Sequence, residues 1–258
     1  MNVDLLKNTR VLVTGGAGFI GSHLVDELLT RGASVCVLDD LSTGYEKNLE
    51  HCLSKINFIK ADIQNFKACE QACYGIDYVL HQAALGSVPR SIKNPLQTLS
   101  VNYQGTANIF EAAKKSGVKR VVYASSSSVY GDNLDNAKVE GKEGNLLSPY
   151  ALSKKNNEDL AKIYYRCFNL EVIGLRYFNV FGARQYPNGP YAAVCPAFFN
   201  AAINGKKLKI FGNGEQSRDF TFIKNVVQAN MLALFSPKES CSIAYNVGAG
   251  KKTSINQL

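Results

Sequence analysis

Two side chains four residues apart offer proton chemistry: Tyr150 and Lys154, in the segment Ser148-Pro149-Tyr150-Ala151-Leu152-Ser153-Lys154. On a helix, residues i and i+4 share a face, so the phenol and the ammonium project into one site. A free tyrosine titrates at about 10. A neighbouring lysine cation favours the tyrosinate and brings it nearer neutral pH. Tyr150 is then a candidate base for taking the proton of an alcohol. Tyr-x-x-x-Lys arises often by chance, and the residues upstream give it weight. The run Arg120–Ala124 (RVVYA) ends in Ser125-Ser126-Ser127-Ser128. Parallel-sheet enzymes place active residues beyond the carboxyl ends of strands, where a positioned hydroxyl can polarise a reacting oxygen.

A second constellation opens the chain, Thr14-Gly15-Gly16-Ala17-Gly18-Phe19-Ile20-Gly21. Gly15, Gly18 and Gly21 have the spacing of a phosphate-binding turn between a strand and a helix. The first glycine makes the tight turn, the second lets backbone approach a pyrophosphate, and the third lets the helix pack on the strand. Free N–H groups at the helix start face the phosphates. Asp39, at the end of the next strand, stands about 20 residues on, where an acid meets the ribose hydroxyls of a dinucleotide. A carboxylate there repels a 2′-phosphate, so NAD is expected rather than NADP.

The elements that position these groups follow from the pattern of apolar runs. Strands are predicted at Arg10–Thr14, Ser34–Leu38, Asn57–Lys60, Asp77–His81, Arg120–Ser125 and Glu171–Leu175. Continuous apolar strands alternating with helical stretches predict an α/β fold, a doubly wound parallel sheet covered on both faces. Helices are predicted at Phe19–Arg31, closed by Gly32, at Asn94–Lys115 and at Pro149–Phe168. After about Asn179 the character changes. Gly182–Tyr191 reads as a loop containing Pro187, Asn188, Gly189 and Pro190. A helix at Ala192–Asn204, a strand at Leu208–Phe211, a turn at Gly212-Asn213-Gly214, a strand at Asp219–Ile223 and a helix at Val226–Phe235 follow. Residues 1–180 are read as a Rossmann domain and 181–258 as a smaller, partial substrate lobe.

Composition narrows the function classes. Of 258 residues, 46% are hydrophobic and 19% charged, which suits a globular protein and leaves no apolar run long enough for a membrane span. The polar start, Met1 to Arg10, has no signal-peptide pattern, so a cytoplasmic location is expected. The net charge of +8 is spread along the chain rather than clustered, which argues against nucleic acid and fits an anionic substrate such as a nucleotide sugar. Seven scattered cysteines suit buried, reduced thiols. His23, His51 and His81 are far apart, so no metal site is expected.

Taken together, the glycine turn, His81-Gln82-Ala83-Ala84, Val129-Tyr130-Gly131, Tyr150/Lys154 and Arg176-Tyr177-Phe178-Asn179-Val180-Phe181-Gly182 resemble the extended short-chain dehydrogenase/reductases. Gly86-Ser87-Val88-Pro89-Arg90-Ser91, Ser126–Ser128 and Gly182-Ala183-Arg184-Gln185 make the chain similar to their bacterial UDP-N-acetylglucosamine 4-epimerases. The resemblance implies reversible C4 epimerisation of UDP-GlcNAc and UDP-GalNAc through a 4-keto sugar, with tightly held NAD and a homodimer built on the two long helices. It implies Tyr150 as base, Ser126 as its hydroxyl partner and Lys154 as ligand of the cofactor ribose. Phe19, Ile20, Asp62, Ile63, Ala83, Asn102 and Tyr177 fall on the cofactor side. Ser87, Arg90, Ser91, Ser127, Asn179, Val194 and Arg218 fall on the substrate side.

A 4,6-dehydratase needs an acid and a base to eliminate water, and such relatives carry Asp-Glu after the active hydroxyl. Ser127 and Ser128 occupy those positions here, which disfavours dehydration. A UDP-glucose or UDP-glucuronate 4-epimerase and a decarboxylase stay open. Relatives continue beyond the position matching Leu258, so an NAD-binding but inactive truncated homologue is a further alternative.

Overall fold

The fold, a computed structural model, describes residues 6–187, 193–208, 210 and 212–258. The chain begins with strand β1 (Arg10–Thr14), helix α1 (Phe19–Thr30), β2 (Ser34–Asp39), β3 (Ile56–Lys60), α2 (Phe66–Cys73) and β4 (Tyr78–His81). Then come α3 (Val88–Lys93), α4 (Pro95–Leu99), α5 (Gly105–Lys115), β5 (Arg120–Ser126), α6 (Pro149–Phe168) and β6 (Glu171–Tyr177). The last third holds β7 (Asn179–Phe181), α7 (Val194–Ile203), β8 (Ser217–Phe222), α8 (Ile223–Leu234), β9 (Ala244–Val247) and β10 (Lys252–Ser254).

Seven strands form one parallel sheet in the order β3-β2-β1-β4-β5-β6-β9. This is the doubly wound α/β fold expected. Alternate residues of each strand enter opposite cores. Val11 and Val13 pack with Leu24 and Leu28 of α1 and Val226 and Met231 of α8. Leu12 packs on the other face with Ile109 and Phe110 of α5 and Ala161 of α6. Strand order reverses between β1 and β4, and in open α/β sheets a crevice for ligands opens there beyond the carboxyl ends.

Three differences from the sequence reading have physical causes. The helix expected over Asn94–Lys115 contains a wide π turn, Ser100–Gln104, between α4 and α5. Hydrophobic period cannot reveal such a turn, because the flanking stretches keep their own 3.6-residue rhythm. β9 (AYNV) is short and half polar, yet it pairs in parallel with β6, from Gly174↔Ala244 to Tyr177↔Val247. Residues 181–258 are therefore not one separate lobe: α8 and β9 complete the main sheet and its outer layer. β7, β8 and β10 form a second, three-stranded sheet. Leu208 and Ile210 join no strand, while Lys209 and Phe211 of that expected strand, like Ala192 at the start of the expected helix and residues 188–191 of the expected loop, lie outside the described residues.

Candidate active site

Gly15 adopts φ +67° at the end of β1, a left-handed conformation that side chains disfavour. A Cβ on it would stand 2.7 Å from the Ala83 nitrogen, and one on Gly21 would stand 2.1 Å from the Gly15 carbonyl oxygen. The turn is thus a cradle that only glycine leaves open. α1 starts at its far side with Gly18 as N-cap, no side-chain cap and no acidic residue in its first turn. Its first N–H groups and the positive end of its dipole suit a pyrophosphate.

Asp39 closes β2 beside this turn and is buried. Its Oδ2 accepts from the Ala17 N–H at 2.9 Å and its Oδ1 from the Leu41 N–H at 2.8 Å. Burial pushes the carboxyl pKa up, and the two backbone N–H groups pull it back. Each oxygen keeps lone-pair capacity for a ribose hydroxyl. A strap follows at 42–45. The Tyr45 N–H donates to Ala17 O at 3.0 Å, and the Tyr45 ring lies against Tyr186 with centroids 5.1 Å apart.

Beyond the ends of β5 and β6 lies the second constellation. Ser148 caps α6 by accepting from the Ala151 N–H at 3.1 Å, and Pro149 occupies the first turn, where it needs no hydrogen bond. Tyr150 and Lys154 follow on one face. Burial raises the Tyr150 phenol above its ordinary pKa, and a hydrogen bond from Ser126 pulls it down. Ser126 Oγ accepts from the Ser128 N–H at 3.2 Å, which leaves its own proton free to be donated. Lys154 Nζ donates to Ala124 O at 2.7 Å and sits 5.9 Å from the Tyr150 ring centre. Burial pushes its pKa down to about 8.

A buried polar chain underlies the loop at 82–86. Thr106 Oγ1 donates to Asn102 O at 2.6 Å, so it can only accept from His81 Nε2, 3.0 Å away. His81 Nδ1 is then the acceptor for Thr14 Oγ1 at 2.6 Å. Thr14 Oγ1 in turn accepts from the Ala83 N–H at 3.3 Å. Burial pushes the imidazole pKa down to about 3, with Lys154 adding to the shift, so His81 stays neutral.

One cavity of about 400 Å³ gathers most of the expected residues. Gly15, Gly18, Phe19, Ile20, Gly21 and Asp39 line it at one end, Asp62, Ile63 and Ala83 along it, and Ser126, Tyr150, Lys154 and Tyr177 at the other. Asn102 does not reach it. Fully buried, its Oδ1 accepts from the Leu85 N–H at 2.7 Å and its Nδ2 donates to Ser153 Oγ at 3.2 Å, holding the wall from behind. Asn179, Val194 and Arg218 line a second cavity of about 300 Å³, which shares Val180 with the first. Ser87, Arg90, Ser91 and Ser127 line neither. Ser87 caps α3, and Ser91 gives its hydroxyl to Val88 O at 2.7 Å.

Val101 and Ser42, Thr43 and Gly44 of the strap, which no sequence motif marks, also line the first cavity, as does Gln185. The sequence reading passed over Glu158, although that residue stands one further helical step beyond Lys154. Among the described residues, Asp26, His51 and Cys52 bring possible metal-ligating atoms within 4.8 Å, but none of the three lines the cleft, and Arg184 already pairs with Asp26 at 2.7 Å.

Comparison with known proteins defines the class. The chain belongs to the NAD dependent epimerase/dehydratase family, which it matches over residues 11–248. A putative UDP-glucose 4-epimerase of Methanocaldococcus jannaschii is 40% identical over 250 residues, 96% of this chain and 79% of the relative. A UDP-N-acetylglucosamine 4-epimerase of Methanobrevibacter ruminantium M1, solved with UDP-N-acetylmuramic acid, superposes with a TM-score of 0.92 at 41% identity, over 97% of this chain and 79% of the other. A UDP-glucuronic acid 4-epimerase of Bacillus cereus, solved with UDP-glucuronic acid and NAD, gives 0.88 at 32%, over 96% and 80%. This protein is therefore an NAD-dependent enzyme, and the glycine cradle, the buried acid at the end of β2 and the long cleft fit that cofactor. No helix among the described residues is long and apolar enough to cross a membrane.

Proposed function

We propose that the chain inverts C4 of a UDP-hexose, with UDP-GlcNAc and UDP-GalNAc as its natural pair, in the cytoplasm. The observation that carries this reading is the meeting of Ser126, Tyr150 and Lys154 at the end of the NAD cleft farthest from Asp39. NAD, when bound there, supplies reversible hydride acceptance.

The chain's own residues handle the proton and the positioning. Tyr150 takes the C4 hydroxyl proton as tyrosinate and returns it at the end of the cycle. Ser126, with its oxygen held by the Ser128 N–H, donates to the tyrosinate and lowers the cost of forming it. Lys154 faces the same space, where its ammonium offers donors to a ribose and favours the anionic phenol. Asn179 and Arg218 in the adjoining cavity offer an amide and a guanidinium to the sugar and its diphosphate. Ser127 and Ser128, standing where a dehydratase would carry its acid and base, offer no carboxyl group, which disfavours water elimination.

A homodimer through α4 and α6 belongs to this reading. The two helices lie side by side and expose Leu96, Leu152 and Ile163. The direct test is to incubate the NAD-loaded protein separately with UDP-GlcNAc, UDP-glucose and UDP-glucuronic acid and follow the C4 epimers by NMR. UDP-GlcNAc should equilibrate fastest. Failure with all three despite bound NAD overturns the proposal, and a clear preference for UDP-glucuronic acid moves it to that substrate.

A further inference from the structure

Three side chains of α6, each four residues apart and on one face, meet three consecutive residues at the end of β5. Tyr150 and Ser126 line the same cavity, and Lys154 donates to the Ala124 carbonyl. Glu158 meets Ser125, whose Oγ donates to its Oε1 at 2.6 Å. The first two contacts belong to the chemistry above. The third stands behind that chemistry: Ser125 borders the first cavity, but its hydroxyl is given to Glu158, which lines neither cavity.

Glu158 is nevertheless held on every side. Arg176 Nε donates to its Oε1 at 2.8 Å and Nη2 to its Oε2 at 2.7 Å, with side-chain exposures of only 5% for the arginine and 2% for the glutamate. Arg176 Nη1 also reaches Tyr130 OH at 3.0 Å and Glu143 at 2.5 Å. Ser125 and Arg176 are register partners across β5 and β6. A closed triangle thus joins two strands and the helix that carries Tyr150.

A buried ion pair adds little net stability over apolar packing, because desolvation offsets most of the attraction. What it adds is geometry. An apolar contact can slide, whereas a carboxylate engaged bidentately fixes both the rotation and the height of its helix. Shifting reacting groups by about 1 Å costs on the order of a hundredfold in rate. We propose that Glu158 is a positioning residue for the reaction: through Ser125 and Arg176 it sets α6 against β5 so that Tyr150 and Ser126 stay in hydrogen-bond reach.

This inference rests on the reading of Tyr150 as the base, and its test keeps the two apart. Ser125→Ala removes the hydroxyl tie and leaves the ion pair, so the variant should fold. Its kcat for UDP-GlcNAc epimerisation should fall about tenfold, with KM within twofold and bound NAD unchanged. Ser125→Thr restores the hydroxyl and should restore most of kcat. In a crystal structure of Ser125→Ala, Ser126 Oγ should stand outside hydrogen-bond distance of Tyr150. A kcat within twofold of the native value, or a Ser126–Tyr150 bond retained in that crystal, overturns the proposal. Glu158→Gln keeps the volume and removes the charge, and it should lose at least as much kcat. Lower stability with undiminished turnover in that variant counts against the role equally. If the native chain epimerises no UDP-hexose, the functional reading falls on that result, and the crystal comparison still decides the positioning.

Discussion

At the scale of single residues, Tyr150 and His81 show how burial divides the work. Burial raises the Tyr150 phenol and Ser126 pulls it partly back, while Lys154 stands on the same face of its helix. Tyr150→Phe should keep NAD, since the ring still fills its place, and should lose about 10²–10⁴-fold in kcat, the usual worth of a positioned base. Cofactor absorbance and NMR turnover check both halves. His81 is forbidden a proton instead. Its pKa falls from 6.5 to about 3, so between those values the unfolded chain binds a proton that the fold refuses. Stability contributed by neutral His81 is therefore lost as the pH falls through that window, at about 1.4 kcal/mol per unit in the limit. In urea unfolding at pH 7 and pH 5, His81→Gln should show a loss smaller than the native protein's by roughly 2 kcal/mol.

At the scale of elements, the turn between β1 and α1 is the least forgiving. Gly21→Ala would place a methyl 2.1 Å from a backbone oxygen that has no room to move. The variant should purify without NAD and melt lower, read from released cofactor and a thermal scan. That turn was legible in the sequence because backbone geometry dictates its residues: only glycine fits Gly15 and Gly21. Tyr150 and Lys154 were legible because helical period links them. Glu158 continues the same column, yet a glutamate on a helix usually faces water, and only the fold brings Arg176 to it. Asn102 was placed on the cofactor side by resemblance, whereas its amide props Leu85 from behind. β9 escaped because four residues with one asparagine carry no strand signal without the edge of β6 to receive them.

At the scale of the whole molecule, the outer faces of α4 and α6 carry the proposed homodimer. Leu96 is 81% exposed, a poor place for leucine on a monomer unless a second surface covers it. Leu96→Asp should turn a dimer into a monomer in light scattering while leaving bound NAD in place. A monomeric native protein would remove the dimer from the reading.

The contact between Tyr45 and Tyr186 has a consequence for time rather than for structure. The two rings bridge the strap beside the glycine turn and the segment after Gln185, both next to the cofactor cleft. An epimerase ends each cycle with its cofactor as it began, so nothing in the chemistry requires exchange, and this bridge is expected to slow it. Copies loaded with NAD and copies loaded with a deuterated analogue should keep their own cofactors through many turnovers when mixed. Tyr45→Ala, by removing an aromatic pair worth about 1 kcal/mol, should let the two pools mix roughly fivefold faster. Mass spectrometry of the separated copies would read the exchange directly, and equal rates would mean the rings stand beside the exit without guarding it.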